Sequence, residues 1–230
     1  MAKIRKDILI FAPHPDDETL GCGGTIAKKL SEGYEIVVVI LTDGRHAFSK
    51  VLGINSNPTP EELKQIRKEE AIKALKVLGV PETNIIFLDF EDGSLEKHED
   101  DVKKRILEIM KIYQPTEVYF PYSKDQNPDH KATNRIIKEC IKITKPSPKS
   151  LQYSIMQRHA RIGPLLDRLI NLFKRCIIEV DISEYVHLKK KAIEQYESQI
   201  SIISKDQTRP ILSKKRIEKH LGSKELFYEQ

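Results

Sequence analysis

Three carboxylates and a histidine crowd into five residues, His14-Pro15-Asp16-Asp17-Glu18, just after the apolar run Ile8-Leu9-Ile10-Phe11. Two carboxylates about 4 Å apart repel by about 1 kcal/mol in water and by several times that when partly buried, so acids packed at a strand end call for a cation between them. His14 and Asp17 lie three residues apart across a strand-to-helix turn, which lets both side chains enter one cavity. A second histidine, His130, opens a later helical pattern in Pro128-Asp129-His130. Nitrogen, oxygen and nitrogen donors with an open fourth position describe a catalytic zinc site, because a structural site is closed by four protein ligands. Metal lowers the proton affinity of water in the open position. Asp16, beside the ligands but not needed as one, is placed to take that proton as general base.

Simpler readings account for part of this pattern. Carboxylates at a helix start satisfy free N–H groups and the helix dipole, but capping does not explain His14. Gly21-Cys22-Gly23-Gly24 suggests a dinucleotide loop with Asp43 as its ribose partner. Such a loop sits directly between strand and helix, whereas nine residues separate Phe11 from Gly21 and the acids among them would repel a pyrophosphate. These glycines are therefore expected to let the first helix pack closely on the sheet.

The elements that must position these groups alternate. Strand-like runs rich in β-branched residues fall near 7–12, 35–42, 84–88 and 117–121, with helical patterns near 19–32, 60–79, 95–113 and 129–143. Strands apolar nearly throughout, separated by helices, predict an α/β chain: a Rossmann-like three-layer fold with a mostly parallel sheet. In such sheets, functional groups gather beyond the carboxyl ends of the strands. Three ends carry them here: His14 to Glu18, Asp43-Gly44-Arg45-His46, and Pro121 through His130. Residues 43–58 read as a long loop and a candidate lid. After Lys145-Pro146-Ser147-Pro148, further strands are expected near 151–155 and 177–181 and a helix near 184–198, while the tail through Glu225-Leu226-Phe227 receives no assignment.

The chain has 230 residues, 39% hydrophobic and 32% charged, which fits one domain over residues 1–230. Its net charge of +5 is scattered, with no block of five like charges, so a solvated surface is expected rather than nucleic-acid binding. Cys22, Cys140 and Cys176 are odd in number and far apart, which argues for a reduced, cytoplasmic setting. The apolar run after Lys3, Arg5 and Lys6 is too short for a signal segment or a membrane span. Arg158, His159, Arg161 and Arg168 make a basic stretch that would suit an anionic sugar or simply a solvated helix face.

The run APHPDDETLGCGG, residues 12–24, closely resembles the opening motif of the PIG-L / LmbE-like family of zinc-dependent N-acetylglucosaminyl deacetylases. Thr42-Asp43-Gly44 is similar to that family's second strand end, Ile66-Arg67-Lys68-Glu69-Glu70-Ala71 to its Arg-x-x-Glu helix, and Pro128-Asp129-His130 to its second metal motif. Lys191 through Tyr196, Ser198 and Gln199 resembles its late Ser-Gln helix, and Glu225-x-Phe227 its C-terminal end. The resemblance implies zinc held by His14, Asp17 and His130, with Asp16 as base and Arg67 and Asp43 toward the substrate. It further implies a hydrolase that removes an N-acyl group, usually acetyl, from a small-molecule amino sugar or its conjugate, often as a homo-oligomer. Two imidazoles and a carboxylate also suit Fe(II) or Co(II).

One position departs from the family. Many members carry a histidine three residues before the last zinc ligand, where this chain has Asn127. Asparagine can donate a hydrogen bond to a developing oxyanion but has no proton to deliver at neutral pH. Asp16, once protonated, would then serve as the acid too, or His46 or Asp125 would supply the proton. The alternative is a catalytically silent sugar-binding or scaffold protein of the same fold.

Overall fold

The computed structural model describes residues 7–155 and 177–229. Strands Asp7–Ala12 (β1), Glu35–Thr42 (β2), Ile85–Phe90 (β3), Glu117–Pro121 (β4), Lys149–Tyr153 (β5), Ile177–Asp181 (β6) and Lys224–Glu229 (β7) form one sheet of order β3-β2-β1-β4-β5-β7-β6. The first five run parallel, and β7 is antiparallel to both β5 and β6. Helices are Asp17–Ser31 (α1), Ala47–Leu52 (α2), Pro60–Leu78 (α3), Glu99–Tyr113 (α4), Pro128–Ile143 (α5), Val186–Ile193 (α6), Glu197–Ile200 (α7) and Lys214–Lys219 (α8).

The strand period of two splits the core between two faces. Ile8, Ile10 and Ala12 pack with Leu20 and Ile26 of α1, Leu75 of α3 and Ile193 of α6. Leu9 and Phe11 pack on the other side with Ile106 of α4 and Ile136 and Ile137 of α5. This is the three-layer α/β arrangement expected from the alternating pattern. The chain reverses its direction of travel across the sheet at β1, flanked by β2 and β4, and the crevice beyond their carboxyl ends is where such sheets bind ligands.

Local chemistry sets the boundaries. Thr59 caps α3 by a reciprocal box with Glu62, Pro60 occupies the first turn, and Gly79 closes the helix at φ 94°. Asn127 caps α5 by accepting from Asp129 N–H. The expected 43–58 loop contains α2, and the expected helix at 184–198 divides into α6 and α7. Strand β5 lies two residues earlier than expected, and the unassigned tail supplies β7. Among the described residues, no helix is long and apolar enough to cross a membrane. Cys22 and Cys140 are buried free thiols; Cys176 and the basic stretch at 158–168 lie outside the described residues.

The glycines of α1 serve close packing. A Cβ at Gly21 would sit 2.4 Å from the Tyr153 ring, and one at Gly24 would sit 2.4 Å from Ile182 Cδ1. Gly21→Ala is expected to destabilise the fold by about 1–3 kcal/mol despite the better helix propensity of alanine, because the fully buried Tyr153 ring has no free space to enter. Chemical denaturation checks this, and a neutral or stabilising result would contradict it. Nearby, Glu225 of β7 accepts from the Gly24 and Thr25 N–H groups at 2.9 and 2.8 Å. Lys189 of α6 donates to Leu20 C=O at 2.8 Å and to Glu225 at 2.6 Å. A buried ion pair thereby locks β7 and α6 onto the helix that follows the His14 turn.

Candidate metal centre

β1 and β4 deliver their following turns to one point. Thr42 fixes the end of β1 by donating from N–H and Oγ1 to Pro13 C=O at 2.9 and 2.7 Å. The chain then turns sharply through Asp16, whose φ of 125° is a conformation that non-glycine residues rarely adopt. The turn brings His14 Nδ1 and Asp17 Oδ2 to 3.1 Å. His130, in the first turn of α5, places Nε2 3.0 Å from Asp17 Oδ2 and 3.3 Å from His14 Nδ1.

These three buried atoms form a nearly equilateral triangle. Tetrahedral donors about 2.0–2.1 Å from a zinc ion lie about 3.3–3.4 Å apart, so the donor set fits such an ion with one position open. Behind each imidazole stands a carboxylate. Asp129 Oδ2 lies 3.1 Å from His14 Nε2 while accepting from Gly93 N–H at 2.7 Å, and Asp125 Oδ2 lies 3.0 Å from His130 Nδ1. These contacts leave Nδ1 of His14 and Nε2 of His130 as the ring nitrogens turned toward the candidate site. A second cluster of His14, Asp92 and Asp129 shares the same imidazole through Nε2. Lys50 Nζ, 2.7 Å from Asp92 Oδ1, already brings a cation to it.

Burial disfavours the charge on Asp17, but His130 and His14 together hold its carboxyl well below the usual range. Asp16 behaves oppositely. Burial pushes its carboxyl up to about 7 against the Arg67 guanidinium, and neighbouring Asp17 and Glu18 add to the rise. Arg67 NH2 lies 3.1 Å from Asp16 Oδ2 and also donates to Pro15 C=O, while NH1 donates to Gly44 C=O at 3.2 Å. Glu18 accepts from Asp16 N–H at 3.2 Å and receives the Tyr196 hydroxyl, bracing the strained turn from the far side.

The centre lies in a cleft of about 320 Å3 lined at its base by His14, Asp16, Asp17, Asn127 and His130, and on its walls by Lys50, Val51, Arg67, Gln199, Leu212 and Arg216. Of the residues singled out from sequence, Asp43 is not in this lining. It is buried against Arg45, whose Nε lies 2.7 Å away, and it accepts from Asp92 N–H. His46 pairs with Glu91 at 2.8 Å outside the lining, and Asp125 is engaged with His130. The Oδ1 of Asn127 is used as the cap of α5, so Nδ2 is the end that can face a ligand.

Sequence reasoning missed Asp92 and Lys50, and it named Gln199 only within a helix motif, without a place in the cleft. The signal for Asp92 was present, since Glu91-Asp92-Gly93 follows β3 as a fourth strand end rich in acids. Asp125→Ala is expected to weaken metal binding about 10–100-fold by freeing the His130 ring, as read by competition with a chelator; unchanged affinity would remove Asp125 from this role.

Fold and donor set together define an α/β protein with a candidate three-donor metal site at the carboxyl edge of the parallel strands. Residues 9–141 match PIG-L, described as GlcNAc-PI de-N-acetylase, and the chain belongs to this family. It is 28% identical over 209 residues to diacetylchitobiose deacetylase of Thermococcus kodakarensis, covering 84% of this chain and 70% of that one. It is 24% identical over 204 residues to a probable N-acetyl-alpha-D-glucosaminyl L-malate deacetylase 2 of Bacillus anthracis, covering 86% and 84%. The solved N,N'-diacetylchitobiose deacetylase of Pyrococcus horikoshii shares the fold with a TM-score of 0.74 at 23% identity, covering 98% of this chain and 84% of that one.

Proposed function

We propose that this chain is a zinc-dependent hydrolase that removes an N-acyl group, acetyl foremost, from an amino sugar or its conjugate. The observation that carries the reading is the triangle of His14 Nδ1, Asp17 Oδ2 and His130 Nε2 at the base of an open cleft, with the Asp16 carboxylate beside it. The names of its relatives, deacetylases of N-acetylated sugars, support the same chemistry. Fe(II) or Co(II) would suit the same donors.

A divalent metal held there supplies Lewis acidity, which polarises an amide carbonyl and acidifies water. Asp16 takes a proton from the attacking water, and burial, which raises its carboxyl above the usual range, favours its accepting and returning that proton. Arg67 anchors Asp16 against the cleft wall. Asn127 Nδ2 donates to the oxyanion as the carbonyl carbon becomes tetrahedral. Asp16 then protonates the leaving nitrogen, the C–N bond breaks, and carboxylate and free amine depart. A cytoplasmic setting is supported by the buried free thiols of Cys22 and Cys140.

Metal analysis of the purified protein, with acetate release from a panel of N-acetylated sugars measured with and without chelator, tests the reading. Stoichiometric metal with chelator-sensitive acetate release is the expected result. Absence of both metal and release would overturn it in favour of a silent sugar-binding protein.

A further inference from the structure

Gln199 lines the cleft but has no part in the chemistry above. It is 1% exposed, and its backbone is pinned on both sides: N–H donates to Tyr196 C=O at 2.9 Å and C=O accepts from Leu212 N–H at 2.7 Å. A primary amide presents a donor end and an acceptor end of nearly the same shape, so the groups behind it decide which end faces a ligand. Here those groups decide it unambiguously. Glu70 of α3 accepts from Ser198 N–H through Oε1 and from Ser198 Oγ–H through Oε2, both at 2.7 Å. The hydroxyl has a single proton, and that proton is directed at Glu70. Ser198 Oγ can therefore only accept from its other neighbour, and Gln199 Nε2 donates to it at 2.8 Å.

The relay runs one way, from Gln199 Nε2–H to Ser198 Oγ–H to the Glu70 carboxylate, through three buried side chains. Its direction leaves Oε1 as the outward end of the amide. Oε1 has no partner among the described residues, yet it is not among the sealed polar atoms that lack one, because Gln199 borders the cleft. A fixed, partnerless acceptor on the wall of a site selects a donor. It disfavours carboxylates and phosphates at that point, since neither offers a proton to it.

We propose that Gln199 Oε1, polarised by the Ser198–Glu70 strut, is a specificity-determining acceptor for a sugar hydroxyl of the substrate, with Ser198 and Glu70 as positioning residues. The proposal rests on the amino-sugar reading above. Its consequence is selectivity against sugars that lack one particular hydroxyl, because such a sugar leaves the acceptor unpaired and partly desolvated.

The test uses metal-loaded protein with methyl N-acetylglucosaminide and its 3-, 4- and 6-deoxy analogues, measuring both binding and acetate release. Wild type is expected to lose about 10-fold in affinity and in kcat/KM for one deoxy analogue. Gln199→Ala should bind the parent and that analogue alike, with the change falling on KM rather than kcat. Glu70→Gln, which keeps the shape but lets the relay reverse, should shrink the same penalty. Metal content and thermal denaturation of each variant separate misfolding from lost recognition. A penalty pattern in Gln199→Ala that matches wild type, or an equal loss for every sugar, overturns the proposal. If no sugar releases acetate, the hydrolase reading fails while the binding comparison still decides the role of Gln199; if the parent sugar does not bind, both fail.

Discussion

Asp16→Asn retains a full complement of metal and loses about 10²–10⁴-fold in kcat, the range expected when a general acid–base group is removed. Asparagine is the informative replacement for two reasons. It tolerates the positive φ that Asp16 adopts better than most residues do, and its Oδ1 can still accept from Arg67 NH2, so the turn and the cleft wall keep their shape. What it cannot do is hold a proton between attack and collapse. Acetate release with parallel metal analysis gives the result. Unchanged turnover with metal bound would move the base to another group of the cleft, and loss of metal would show that Asp16 helps to hold it.

His130→Ala is expected to lose both metal and turnover. The substitution removes one corner of the donor triangle and leaves Asp125 buried without its imidazole partner. Loss of a direct ligand should exceed the effect of losing the carboxylate behind it, so affinity falls by more than about 100-fold. Chelation of the wild type gives the matching control: activity disappears, then returns when metal is added back. Added metal does not rescue the variant at concentrations that restore the wild type. Stoichiometric metal in purified His130→Ala would exclude this residue as a ligand.

The first motif was readable because it is local. A strand end, a turn and a helix start fall within residues 7 to 31, and their hydrophobic period and acid spacing are carried by adjacent residues. The same holds for α3, where Thr59, Pro60, Glu62 and Gly79 mark both ends. Short α2 carried too little signal: it has six residues and one buried side chain, Phe48. The break between α6 and α7 has no glycine or proline to announce it, and Ser198 is held by Glu70 from another helix. β7 was illegible because its place between β5 and β6 is set by pairing with distant residues. The candidate donors His14, Asp17 and His130 could be picked out from local spacing, and the groups behind them could not. Asp125 and Asp129 orient the imidazoles and Lys50 neutralises Asp92, through contacts that only the folded sheet creates. Asp43 shows the converse, since a polar residue at the right strand end turns inward to hold the loops.

The reach of Glu225 back to Gly24 and Thr25 has a consequence in time. Donor and acceptor are separated by 201 and 200 residues, and His130 follows His14 by 116. At about 5–20 residues per second, roughly 10–40 s of synthesis pass between the emergence of α1 and that of the strand that anchors it. For the first 116 residues of that interval a nascent chain offers His14 and Asp17 without His130, and until its end α1 lacks its anchor. The complete donor triangle therefore exists only after His130 has been made, and its anchored form only after β7 has joined the sheet.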